Sequence, residues 1–215
     1  MDSVVLHSRF NASDIVFQPI TKTAKGSKIV YLNFANGKKV QVQSPVMSAP
    51  FGISSFTDAA TGVSSFSLDA SFRGADSDPK IAGFLKKMKE LDEVVIDAAV
   101  KNSADWFGKK MSKDVVANLT RSVVKEPSDP KYAPTIRFKI GNGFGPDSTF
   151  YDESHNEVDK DYVTKGSTFR AIIELGSVWQ VNRSFGVTWR LVQCAVVSRP
   201  DQGVQGFSML EDDDE

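Results

Sequence analysis

Arg137 and Lys139 stand two apart in Thr135-Ile136-Arg137-Phe138-Lys139-Ile140. In a strand that spacing sets both cations on one face and three apolar side chains on the other. Cations on a flat surface neutralise phosphates, and aromatic faces beside them stack with unpaired bases, each stack contributing ~1–3 kcal/mol. The same mixture recurs twice more. Arg183, Phe185, Trp189 and Arg190 gather around Gly186, and Lys28, Tyr31, Lys38 and Lys39 bracket an Asn36-Gly37 turn. Phe138 and Trp189 alternate with apolar neighbours, so burial in a core is the competing reading of those rings.

Signals for other chemistry are sparse. His7 and His155 are far apart and neither has a metal-ligand spacing. Cys194 is the one cysteine and lies in an apolar run, which makes it a buried thiol and points to a reducing, intracellular setting. Gly141-Asn142-Gly143-Phe144-Gly145 has the outline of a phosphate loop, but Pro146-Asp147 continues the turn and no apolar helix follows. Asp152-Glu153 sits in a polar stretch with nothing to desolvate it. No catalytic residue, metal or cofactor is expected, and an enzyme is the weakest of the functional readings.

The elements that must position these residues are mostly strands. Residues 15–20 form a short run that Pro19 confines to a sheet edge. Ser27 to Phe34 is strand-like; Asn36-Gly37 predicts a primed hairpin turn, and Lys38 to Gln43 returns in alternation. Residues 64–69 alternate again. One strong helix follows, capped by Asp78 with Pro79 at its first position. Ile81, Phe84, Leu85, Met88, Leu91, Val95 and Ala98 recur along it at three- and four-residue spacing as far as about Ala104. A shorter helix starts at Ser112 with Val115, Val116 and Leu119, and residues 126–134 are a proline-rich connector. Beyond the 135–140 strand, residues 141–166 read as an exposed loop or hairpin arm. Thr168 to Leu175 and Val187 to Val197 are the most apolar strands. Strands, an internal helix and strands again predict a mainly β, OB-fold-like Greek-key barrel, with a β-sandwich carrying an inserted helix as the rival.

The chain of 215 residues carries a net charge of −1, unevenly distributed. Glu211, Asp212, Asp213, Asp214 and Glu215 are consecutive; without them 22 acidic residues face 26 basic ones, leaving about four positive charges on the body. Blocks of like charge repel themselves and cannot bury, so residues 1–200 read as one domain and 201–215 as a flexible acidic tail. No segment approaches the ~18 apolar residues of a membrane helix, and the first residues lack a signal-peptide pattern. Five carboxylates near a cationic groove would tune its affinity and salt dependence without blocking it, since charges beyond ~8 Å are largely screened at physiological salt.

Residues 176–193, Gly-Ser-Val-Trp-Gln-Val-Asn-Arg-Ser-Phe-Gly-Val-Thr-Trp-Arg-Leu-Val-Gln, resemble the signature of single-stranded DNA-binding proteins of nucleocytoplasmic large DNA viruses. That group is related to the replication single-strand binder of short-tailed phages. Lys131-Tyr132-Ala133-Pro134 with Thr135 to Ile140 resembles a second block, and the likeness spans roughly residues 112–215. It implies an OB fold that coats single-stranded DNA during replication or recombination, with Trp179, Phe185 or Trp189 stacking on bases. It also implies an acidic tail that contacts polymerase or helicase and competes with DNA, and an intracellular site of viral DNA replication in the nucleus or a cytoplasmic factory. A homodimer exchanging tails is compatible with it. The phage tail ends in an aromatic residue whereas this chain ends in Glu215; Phe207, Met209 and Leu210 are the apolar residues upstream. A virion structural or scaffolding protein is the alternative reading.

Overall fold

Alternation along five strands closes a barrel. The computed structural model describes residues 4–22, 28–141, 147–181 and 184–200. Its ring is built from β1 (Met47–Ser48), β2 (Ser64–Ser71), β3 (Thr135–Ile140), β4 (Thr168–Leu175) and β5 (Trp189–Ser198). β1 pairs antiparallel with β2, β2 with β3, β4 with β5 and β4 with β1, while β3 and β5 run parallel. The order 1-2-3-5-4 returns to its start, so the sheet is an OB-type Greek-key barrel and not a sandwich.

The register separates an inner row from an outer one. Leu175, Trp189, Phe138 and Leu68 lie side by side across β4, β5, β3 and β2, and all are buried. One residue along each strand, Glu174, Arg190, Lys139 and Ser67 form the next row, on the opposite face. Strands ~4.8 Å apart carry these rows as near-continuous bands.

Other strands extend the ring. Gln41–Gln43 pairs with β4 and in turn holds Val4–Leu6, and Ile53–Thr57 pairs with β2. Ile15–Phe17 pairs with Leu32–Phe34, as its edge position suggested. The reversal that follows differs from the primed turn expected. Gly37 takes a φ of 78°, but Asn36 stays at negative φ, and the Gly37 N–H donates to the Phe34 carbonyl at 2.9 Å. The Asn36 side chain instead accepts from the Lys38 N–H at 3.0 Å, which holds it in the commoner backbone region. A second correction concerns residues 141–166. Thr149–Tyr151 joins the main sheet parallel to β5, because Phe150 is apolar and buries opposite Cys194.

The helices lie between β2 and β3: α1 (Pro79–Lys101), α2 (Ser103–Phe107) and α3 (Lys113–Leu119). Asp78 caps α1 by accepting from the Lys80 N–H at 2.7 Å. Its buried stripe runs through Ile81, Phe84, Met88, Leu91 and Val95, and Phe84 meets Phe72 at 6.0 Å between ring centroids. On α3, Val116 is buried while Val115 faces out. Cys194 is buried as its apolar surroundings suggested, and burial pushes its thiol up to about 12, so it stays protonated. Among the described residues no helix is long and apolar enough to cross a membrane.

Candidate nucleic-acid interface

The outer row crosses the floor of a groove of about 600 Å³. Arg137 and Lys139 of β3 and Arg190 of β5 line it, and among the described residues no carboxylate does. Lys139 and Arg190 are register partners on parallel strands, and like charges so placed repel. Arg190 has a counter-charge beside the groove, on β4: Glu174 Oε1 accepts from its Nη2 at 3.2 Å and from Lys39 Nζ at 3.1 Å, while Gln41 donates to Oε2 at 2.8 Å. Burial raises the Glu174 carboxyl, but these donors outweigh it and hold the group below its usual range. Arg137 is paired with Asp69. Lys139 makes no ion pair among the described residues, so the groove retains charge that an anion would satisfy.

Two hairpins wall the groove. The first follows β1: Asp58 closes its turn by accepting from the Ala60 and Thr61 N–H groups at 2.9 and 2.8 Å, donors that pull its carboxyl below the usual range. Strand register then sets Phe56 opposite Ser65, on the face shared with Ser67 and Lys139, and its ring is 68% exposed. Phe66, on the other parity of β2, also lines the groove, with Lys160 Nζ 4.9 Å above its ring. The second hairpin, between β4 and β5, pairs Trp179–Val181 with Ser184–Gly186 and is tied to the helical region by Thr120 and Arg121. It presents Trp179 to the groove, half-buried.

Gly186 is what seats that indole. A Cβ there would lie 2.9 Å from the Arg121 carbonyl oxygen and 3.1 Å from Trp179 Cζ2. Gly186→Ala is therefore expected to push Trp179 outward, shifting tryptophan emission to the red and lowering stability by ~1–3 kcal/mol. An unchanged spectrum with unchanged thermal unfolding would contradict this seating.

The sequence-predicted residues divide clearly. Arg137, Lys139, Trp179 and Arg190 come together in the groove. Phe185 and Trp189 do not: each is 1% exposed, Phe185 against Phe107 at 5.0 Å and Trp189 against Phe10 at 6.0 Å. Their expected stacking role is corrected to one in the core, because both rings sit on the inward parity of their strands. Lys39 joins the Glu174 cluster beside the groove. Tyr31 is half-exposed and follows Val30, whose bridge to Val178 ties that segment to the Trp179 hairpin. Lys38 is exposed beside the Asn36 turn. Lys28 lies in the short Lys28–Ile29 strand, with its side chain outside the described residues. Arg183, Asn142 to Gly145 of the glycine-rich loop, and the tail with Phe207 and Glu211 to Glu215 also lie outside them.

Phe56 and Phe66 had not been singled out from the sequence. The available signal was a lone ring in each of two serine-rich alternating segments, Ile53-Ser54-Ser55-Phe56 and Ser64-Ser65-Phe66-Ser67. A second depression, of about 480 Å³ on α1, is lined by Lys86 and Lys89 together with Glu90 and Glu93, a mixed wall with no preference for anions.

No curated protein matches the chain in sequence. Among solved structures it is similar to the single-stranded DNA-binding protein from bacteriophage Enc34 in complex with ssDNA. The TM-score is 0.49 and the identity 12%, over 88% of this chain and 98% of that one. A second structure of the Enc34 protein gives 0.47 and 12%, over 90% and 96%. Its C-terminal truncation gives 0.47 and 10%, over 88% and 98%. At the level of sequence family, residues 80–208 match the model of a family of unknown function, DUF5871, and the chain belongs to that family.

Proposed function

We propose that this protein binds single-stranded DNA, largely without sequence preference, through the outer face of β2 and β3. The observation that carries the reading is the lining of the groove: Arg137, Lys139 and Arg190 lie beside the rings of Phe56 and Trp179, and among the described residues no carboxylate is on its wall. OB barrels hold oligonucleotides on the face of strands 2 and 3, between the loops joining strands 1 to 2 and 4 to 5. The groove occupies that position. Phosphates would be met by cations of the groove, Lys139 foremost, and unpaired bases by the two rings.

The reading is of a binder without catalysis, acting in viral DNA replication or recombination inside the infected host. The acidic residues Glu211 to Glu215, with Phe207, would contact polymerase or helicase and compete with DNA, and two copies could exchange these tails. The test is a titration with oligo-dT followed by tryptophan fluorescence at two salt concentrations. Trp106 and Trp189 are buried, so quenching would report Trp179. Affinity is expected to fall as salt rises. Flat fluorescence without a mobility shift would contradict the reading and favour a structural role between copies.

Lys139 is the cation expected to act most simply as a phosphate contact. For single strands each neutralised phosphate contributes ~0.7 to the slope of log affinity against log salt. Lys139→Ala should therefore flatten that slope by about 0.7. A slope identical to that of the parent protein would exclude Lys139 from the phosphate path.

A further inference from the structure

Arg137 is held by a bidentate carboxylate. Its Nε and Nη2 groups donate to the two carboxylate oxygens of Asp69, at 2.7 and 2.8 Å, and Asp69 is its register partner on β2. Asp69 is 7% exposed whereas the Arg137 side chain is 57% exposed. The carboxylate therefore offsets the charge from the neighbouring strand and fixes the plane of the guanidinium, leaving its other edge without a partner among the described residues.

A guanidinium has five N–H donors in a rigid fork. The Asp69 contact engages the Nε–Nη2 side. The Nη1–Nη2 end keeps two parallel donors, aimed by the paired hydrogen bonds to Asp69. A phosphate meeting that end finds its attraction offset by the carboxylate beside it. A neutral acceptor pair loses much less to that carboxylate. Of the four unpaired bases, guanine offers two adjacent acceptors at O6 and N7 and cytosine at N3 and O2; adenine places its N6 donor beside N7 and N1, and thymine sets the N3–H donor between O2 and O4.

We propose that Arg137 forms a subsite, within the otherwise sequence-tolerant groove, for the bases that present two adjacent acceptors, guanine and cytosine, over thymine and adenine, an inference that rests on the single-strand binding proposed above. Labour is then divided: Lys139, a rotatable point charge, serves phosphate, and Arg137, a planar anchored fork, reads a base edge.

The test uses the full-length chain and fluorescence anisotropy of labelled oligonucleotides: oligo-dT, oligo-dT with separated single guanines, the same sequence with 7-deazaguanine, in which a C–H replaces the N7 acceptor, and oligo-dT with separated single cytosines, which should bind as the guanine oligonucleotide does. Separated guanines do not assemble into four-stranded structures. The guanine oligonucleotide is expected to bind about tenfold tighter than oligo-dT, and the 7-deaza analogue to fall back to the oligo-dT value. In Arg137→Lys the ratio of guanine to thymine affinity should drop to about one. Equal affinity for guanine and 7-deazaguanine, or a preference that survives Arg137→Lys, overturns the subsite while salt-dependent oligo-dT binding leaves the groove's function standing. Failure to bind any of the oligonucleotides overturns both.

Discussion

Replacing Trp179 by alanine should weaken oligo-dT binding by about 5- to 150-fold, the range covered by loss of one base stack of ~1–3 kcal/mol. The ring lines the groove half-buried, and its seat is a glycine on the same hairpin, so removing it opens no hole in the barrel core. Stability should therefore change by no more than ~1 kcal/mol. The paired measurement is anisotropy for affinity and urea unfolding for stability. Retained affinity would remove the indole from the binding surface, and a large loss of stability would recast it as a core residue.

Trp189→Ala should do the opposite. That ring is 1% exposed, lies in register with Phe138 and Leu175, and meets Phe10 edge-on at 6.0 Å. Truncating it leaves a cavity in the middle of the inner row, and the free energy of unfolding should fall by ~3–5 kcal/mol. Urea denaturation reads this directly. A loss below ~1 kcal/mol together with collapsed affinity would return Trp189 to the DNA-binding face and undo the inner and outer assignment of β5.

The contrast between these two tryptophans shows what could be read from the sequence. Local alternation was legible: Arg137 and Lys139 stand on the outer face because period two leaves them no other place, and α1 begins where Asp78 and Pro79 set it. Trp189 and Phe185 were drawn toward the groove by nearby cations in the chain. Strand parity outranks proximity in sequence, and Trp189 shares the inward parity of Leu191. Phe56 has no cation near it in sequence and becomes a groove residue only through the pairing of Ile53–Thr57 with β2. Likewise Glu174 meets Lys39 across 135 positions, a contact set by barrel closure. Long-range register is a property of the closed ring, so local spacing does not encode it.

The barrel itself was recoverable because its inner row is made of strongly apolar or aromatic residues bounded by turns. Its accessory strands were harder. Thr149–Tyr151 lies in a polar, glycine-rich stretch, and one buried ring, Phe150, decides that it joins the sheet.

The central claim is that unpaired DNA lies across the outer face of β2 and β3 between the two hairpins. Photo-crosslinking with oligo-dT carrying 5-iododeoxyuridine, followed by peptide mapping, tests it most directly. The crosslinks should fall on Phe56 and Trp179 and disappear in high salt. Crosslinks concentrated on α1, with none in either hairpin, would contradict it.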